Sequence, residues 1–296
     1  MGQAPQIMAA SLLLSAAIAL AQAENPYFAV AQEQYRNNRF GQANSLARRA
    51  LERDPDCAPC RYLYGLTFVA FKQYPTAQAQ FQKALELDPR NLRIRLDLGI
   101  VLMKQGKMDQ AAQTFRMAIE ANPDSLTARL YLGRLELERG QSDQAQQHFE
   151  AILGRDPRFP SAHLWLARIH LEKGSQDEAI RQLQQELRSY PRNEQAQIQL
   201  AGLLLENNQP TAALNRLLRA RSYAPGDASL HLLLARTYRA LGKLSQAIQS
   251  ARQSLEIRPQ AEAHLLLAEL YRQSGNDQQA EEQLKRYEEL KASGSR

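Results

Sequence analysis

The sequence predicts an all-α fold, a solenoid of antiparallel helix–turn–helix units repeated about eight times. Three observations carry this expectation. Pro55, Pro89, Pro123, Pro157, Pro191, Pro225 and Pro259 recur every 34 residues without a slip. Small residues keep the same step, in one series Gly65, Gly99, Gly133, Ala167, Ala201 and Ala235, and in another Ala43, Ala77, Ala111, Ala145, Ala179, Ala213 and Ala247. No segment alternates apolar and polar residues between turn signals, so no strand is expected. A fixed period of this kind marks stacked supersecondary units, each closed by a proline that its helix cannot accommodate.

Within a unit the first helix is marked by a large apolar series, Tyr64, Leu98, Leu132, Leu166, Leu200 and Leu234, each directly before a small residue. The turn that follows holds Gly106, Gly140, Gly174 and Gly242, or Asn38 and Asn208, residues that tolerate the left-handed conformation ending a helix. The second helix carries the small Ala series and a filling series of Phe81, Phe115, Phe149, Leu183 and Leu217. Gly or Ala where two helices cross lets their backbones approach, and the larger side chains fill the space around the crossing. The other prolines fit the same phase. Pro26, Pro59 and Pro160 fall where first helices should begin, Pro75 and Pro210 where second helices should begin, and Pro5 lies in the leader.

The units read as about 24–57, 58–91, 92–125, 126–159, 160–193, 194–227, 228–260 and 261–293, one elongated domain over 24–296. Ala31 and Ala47 are small for their places, so the first unit is expected to pack loosely. Ala268 follows Ala235 by 33 residues, which removes one residue from the turn after Pro259. The last helix, expected over Gln278 to Lys291, is crowded with Glu281, Glu282, Lys285, Arg286, Glu288 and Glu289 and suits a water-facing cap.

The pattern resembles the tetratricopeptide repeat family. A bulky residue before Gly or Ala, a later Ala, an aromatic or Leu and a closing Pro are its marks, and Leu98, Gly99, Ala111, Phe115, Ala118 and Pro123 show them in one unit. The resemblance covers Glu24 to about Ser293 and implies a right-handed superhelical solenoid whose first helices line a concave groove. Helical spacing then places Tyr62, Leu66, Leu96, Ile100, Leu130, Arg134, Leu164, Trp165, Arg168, Ile198, Leu232, Arg236 and Arg239 on that groove. Exposed Leu and Trp with a few Arg would suit an amphipathic, acidic peptide or helix. Glu138 and Glu172 follow Arg134 and Arg168 by four residues and can satisfy them within the helix, whereas Ala240 stands at that place for Arg236. The Lys and Asn set with which chaperone-binding relatives hold a terminal carboxylate is not recognisable.

Residues 1–23 differ in kind. Ile7 to Ala21 is apolar, and Ala21-Gln22-Ala23 has the small-x-small form of a signal cleavage site. The run is short against the roughly 20 residues of a membrane span. Export to a bacterial periplasm or beyond is expected, with an uncleaved membrane anchor as the alternative. No Lys or Arg precedes the apolar run, and no Cys near the cleavage site offers a lipid attachment point. The net charge is +6 and the pI about 9.4. In an exported chain that balance points to anionic polymers, lipid surfaces or acidic protein partners rather than to nucleic acid.

Chemistry is sparse. Cys57-Ala58-Pro59-Cys60 sits at the start of a helix, where a thiolate would be favoured. The pair admits a local disulfide, idle thiols, or redox or metal work. Arg61 in place of His removes covalent haem attachment, and no second Cys pair exists for zinc. His163, His231 and His264 fall at equivalent places in three helices, and His163 and His170 are seven apart, the wrong spacing for ligands on one face. No phosphate-binding loop, nucleophile elbow or zinc-protease motif occurs. No enzyme, cofactor or metal is expected. The reading is an exported, non-enzymatic adaptor that binds a peptide or helical partner in its groove, in an envelope-associated complex serving assembly or secretion. The alternatives are a periplasmic thiol–disulfide redox protein using Cys57 and Cys60, a binder of anionic polysaccharide or membrane, and a self-associating array.

Overall fold

The computed structural model of the chain describes residues 25–294, so the leader expected over 1–23 lies outside the described residues. The described residues form sixteen helices and no strand. The chain divides into two compact units, one up to His148 and one from Phe149. The first holds α1 (Pro26–Arg36), α2 (Phe40–Arg53), α3 (Ala58–Ala70), α4 (Tyr74–Leu87), α5 (Leu92–Lys104), α6 (Met108–Ala121), α7 (Leu126–Glu138) and the beginning of α8 (Ser142–Arg155). The second holds the rest of α8, then α9 (Ala162–Glu172), α10 (Gln176–Ser189), α11 (Glu194–Glu206), α12 (Pro210–Tyr223), α13 (Ala228–Ala240), α14 (Leu244–Ile257), α15 (Ala261–Gln273) and α16 (Asp277–Gly294). Within each unit, helices joined by short turns pack as pairs, and successive pairs stack in chain order. Among the described residues no helix is long and apolar enough to cross a membrane.

Five of the eight first helices, α3, α5, α7, α11 and α13, start where a side chain satisfies one of their free N–H groups. Asn91 accepts from the Ile94 amide at 3.2 Å, Ser125 from Ala128 at 3.4 Å, Asn193 from Ala196 at 3.1 Å and Asp227 from Leu230 at 2.9 Å. Cys57 Sγ fills the same place for α3, accepting from the Cys60 amide at 3.1 Å. These caps stand in the 34-residue register, and in that register the fifth repeat has Phe159, which cannot cap. There the turn runs on. Pro160 lies outside the helix, Ser161 adopts a left-handed φ of 65°, and α9 begins only at Ala162. Pro160 therefore does not open a helix as expected, whereas Pro26, Pro59, Pro75 and Pro210 each occupy a first helical turn.

A second device holds the turns at the regular prolines. At six of the seven, all but Pro259, the side chain six residues on reaches back to the proline carbonyl. Arg61 donates to Pro55 O at 2.6 Å, Arg95 to Pro89 O, Arg129 to Pro123 O at 3.2 Å and Gln197 to Pro191 O at 3.0 Å. His163 and His231 do the same at Pro157 and Pro225, 3.3 and 2.9 Å away. Two of the three register-equivalent histidines thus serve a turn, and no group able to hold a metal ion exists among the described residues.

The turns inside each pair need a positive φ. Gly106, Gly140, Gly174, Gly242, Asn38 and Asn208 supply it as expected, and Gly275 and Lys72 do so as well. Lys72 is a side chain where a glycine would be free of strain. Between α14 and α15 only residues 258–260 remain, one fewer than the four at 88–91, which accounts for the 33-residue step.

Packing follows the size of the residue pairs. Gly65 and Gly99 leave room for the rings of Phe81 and Phe115, which are wholly buried. Where the first helix has Ala instead, at Ala167 and Ala201, the partner sixteen residues on is the smaller Leu183 or Leu217. The first repeat is not loose. Ala31 and Ala47 have no exposure and share a cluster with Phe28, Ala50, Cys57, Cys60 and Leu63. Asn25 Nδ2 also donates to Ala50 O at 2.8 Å, tying the start of α1 to α2.

Candidate functional site

In the unit up to His148, the first helices of three successive repeats present their faces to one another: α1, α3 and α5. Between them lies a cleft of ≈ 350 Å³. Phe28 and Tyr35 come from α1, Tyr62, Leu63 and Leu66 from α3, and Ile94 from α5. Pro59, Gln32 and Asn91 complete the wall, and Arg36, Asp88 and Arg93 carry the charges at its edge. Phe28 and Tyr35 are one helical step of seven apart, as are Pro59 and Leu66, so each helix offers one stripe to the cleft.

The polar centre of this face is built around Asp97. Tyr62 Oη donates to Asp97 Oδ2 at 2.5 Å, and Arg93 Nε reaches the same oxygen at 3.2 Å. The Tyr62 ring is fixed from behind by Phe81, with centroids 5.5 Å apart. Burial, then the charge of Asp97, hold the Tyr62 phenol far above its ordinary range, with Arg93 opposing. Burial and Asp97 also raise the Tyr35 phenol. Both tyrosines are therefore neutral donors at any physiological pH. Arg36 is exposed and takes part in none of the ion pairs among the described residues.

The residues expected to line a groove fall into three groups. Tyr62 and Leu66 are in the cleft. Leu96 and Ile100 are half-buried against the core of the first unit, Leu130 is half-buried, and Arg134 lies over the Tyr131 ring at 5.4 Å. In the second unit, Trp165 stacks on Phe149 at 6.2 Å, Arg168 lies over Trp165 at 5.7 Å and pairs with Glu172 at 3.2 Å, and Ile198 packs half-buried on the core. Arg236 and Arg239 each pair with an acid of the following first helix, Glu262 and Glu269. Arg236 is thus not left without a partner by Ala240. Leu164 and Leu232 are a correction: at 5 % and 6 % exposure they belong to the core and offer no surface. The next first helix packs over them, which spacing within one helix cannot foretell.

Phe28, Tyr35, Leu63, Ile94, Arg36, Arg93 and Asp97 join the site without having been singled out in the sequence. Their signal was present only as register: Asp97 lies 35 residues after Tyr62, one unit plus one residue, which puts it across the helix-to-helix interface. Cys57 and Cys60 form a disulfide, with Cys57 at 6 % exposure and Cys60 at none. That bridge belongs to the core of the first repeat, beneath the cleft's Phe28 and Leu63.

Comparison with known proteins places this architecture. Tetratricopeptide repeat family models match residues 28–77, 130–194 and 198–262, with others over 68–135, 102–155 and 261–293. The chain belongs to the tetratricopeptide repeat family, and its fold is that family's all-α helical-repeat solenoid. A tetratricopeptide repeat protein from Parabacteroides merdae aligns over 90 % of this chain and 99 % of its own at 16 % identity and TM-score 0.65. PilF of Pseudomonas aeruginosa aligns over 71 % and 95 % at 22 % identity and TM-score 0.61. YrrB, described as a TPR protein with an unusual peptide-binding site, aligns over 58 % and 89 % at 26 % identity and TM-score 0.50. No curated protein matches the chain significantly. A repeat scaffold of this family is suited to protein–protein interaction.

Proposed function

We propose that the chain is an exported, non-enzymatic adaptor that holds a peptide or helical segment of a partner protein, with the α1–α3–α5 cleft as its principal site. The observation that carries this is the cleft itself: a concave apolar floor with a few fixed polar groups is the form a side-chain anchor requires. Phe28, Tyr35, Leu66 and Ile94 would take an apolar or aromatic side chain. Tyr35 and Arg36 would meet a carboxylate beside it, so the partner segment carries an apolar anchor next to an acidic residue. The likeness to YrrB supports a peptide as the ligand class. Export and a place in an envelope complex rest on the apolar Ile7–Ala21 run and the Ala21-Gln22-Ala23 site.

The test is selection of peptides from a random display library on the purified chain, followed by affinity measurement on Leu66→Glu and Arg36→Glu. Selected peptides should share an apolar residue beside Asp or Glu. They should lose at least about tenfold in affinity, or about 1.4 kcal/mol, on either variant. Peptides that bind both variants as well as the parent would refute the cleft as the site.

A further inference from the structure

Part of the wall of the α1–α3–α5 cleft recurs four repeats later with its charge reversed. A groove of ≈ 600 Å³ lies along the beginnings of α11 and α13. Gln195, Ile198, Gln199, Asp227 and Ser229 line it, and each stands four 34-residue steps after a residue of the cleft: Pro59, Tyr62, Leu63, Asn91 and Arg93. The stacking of first helices sets the same five backbone positions around a hollow in both places, and the side chains decide what each can hold.

Three of the changes bear on charge. Arg93, a base at the edge of the cleft, gives way to Ser229, and Asn91 gives way to Asp227. Glu194, also in the groove, stands where α3 has Ala58. Both acids are partly exposed. Asp227 Oδ1 caps α13 by accepting from the Leu230 amide at 2.9 Å, and neither acid takes part in an ion pair among the described residues. Burial, then the charge of Asp227 beside it, push the Glu194 carboxyl above its ordinary range, as happens when two acids share a place with no base between them. No residue lining the groove is basic. Arg192, the nearest base in sequence, lines a separate depression with Ser161 and Tyr190.

The floor beside the acids is apolar. Ile198 is half-buried on the core of this unit. One turn further along α11, Gly202 stands where the cleft has Leu66. A Cβ at Gly202 would meet only Leu233 Cδ2, at 3.9 Å, so α11 offers no side chain to close the groove there.

We propose that this groove binds a segment of a partner protein with a basic residue beside an apolar one, the cation meeting Glu194 and Asp227 and the apolar side chain lying over Ile198 and Gly202. Two accessible carboxylates without a cation of their own can each make a charge-assisted hydrogen bond to one supplied from outside. The groove is a second site, opposite in charge preference to the cleft and independent of it.

The test uses two end-blocked peptides, one with Leu next to Lys and one with Leu next to Glu, alongside Nα-acetyl-lysine N-methylamide and calcium chloride. Amide shifts of Ile198 and Ser229 on the full chain report the groove, and those of Leu66 and Ile94 the cleft. The Leu–Lys peptide should shift Ile198 and Ser229 saturably, and the Leu–Glu peptide should not. Glu194→Gln combined with Asp227→Asn should weaken that binding by at least about tenfold. Asn already holds the equivalent cap at Asn91 and Asn193, so this variant keeps the start of α13. Glu194→Lys alone, at a partly exposed position, should abolish the binding. A Leu–Lys peptide that shifts nothing, or only Leu66 and Ile94, overturns the proposal, as does equal binding of the Leu–Glu peptide or binding unchanged in both variants. Equal affinity for calcium or for the lysine amide overturns it too, because the carboxylates would then take a cation with no help from the apolar floor.

Discussion

Replacing Gly99 by Ala tests whether helix pairs in this chain are matched by size. A Cβ at Gly99 would stand 2.5 Å from both Cε1 and Cζ of the Phe115 ring, which is wholly buried. Ordinary contact needs about 3.5–4.0 Å, so the ring or α6 must retreat by roughly 1 Å. Overpacking of this kind costs about 1–3 kcal/mol, against which Ala gains about 1 kcal/mol of helix propensity over Gly. The net expectation is a loss of about 1–2 kcal/mol. Phe115→Leu alone leaves a void and should cost about 1–1.5 kcal/mol. The double variant recreates the Ala–Leu combination found at Ala167 with Leu183 and Ala201 with Leu217. It should therefore be more stable than the sum of its parts by about 1 kcal/mol or more, a coupling measurable in a double-mutant cycle. Urea unfolding followed by circular dichroism gives all four stabilities, with the slope checked for constancy because repeat arrays can unfold in stages. A neutral Gly99→Ala whose effect simply adds to that of Phe115→Leu would refute size matching as the rule of the core.

The other predictions follow from single positions. Lys72→Gly should raise stability by about 0.5–1 kcal/mol, since it relieves a left-handed side chain at an exposed turn; a drop in urea midpoint would show that the lysine does more than fill it. Reducing the Cys57–Cys60 bridge should lower stability by roughly 2 kcal/mol while helix content at 25 °C is retained, as read by denaturation with and without reductant. The Tyr62 phenol is raised by burial, so its contribution to stability is complete below about pH 10 and is lost as pH rises beyond that. Tyr62→Phe should blunt this alkaline loss, and an unchanged profile would place the titration elsewhere. His148 is pushed down by burial, against the pull of Glu136, so stability should fall as pH drops below about 6.5. That loss should be smaller in His148→Gln when followed by thermal unfolding.

The 34-residue register alone determined the class of fold, the order of helices, most of their ends and the residues that pack within each pair. The reason is local: turn, cap and crossing are decided by residues within one unit, and the chain states the rule several times. The register also showed the break after Pro259, but not the one at Phe159, where Pro160 was expected to open a helix and the longer turn with its left-handed Ser161 became visible only in three dimensions. Tertiary structure decided which groove-facing positions remain accessible. Leu164 and Leu96 hold equivalent places in their helices, yet the first is in the core and the second half-exposed, because the next repeat covers them differently. The cleft depended on the same thing. Phe28, Tyr62 and Ile94 lie on three helices, and each pair of them is separated by about one repeat or more, so only stacking brings them to one surface.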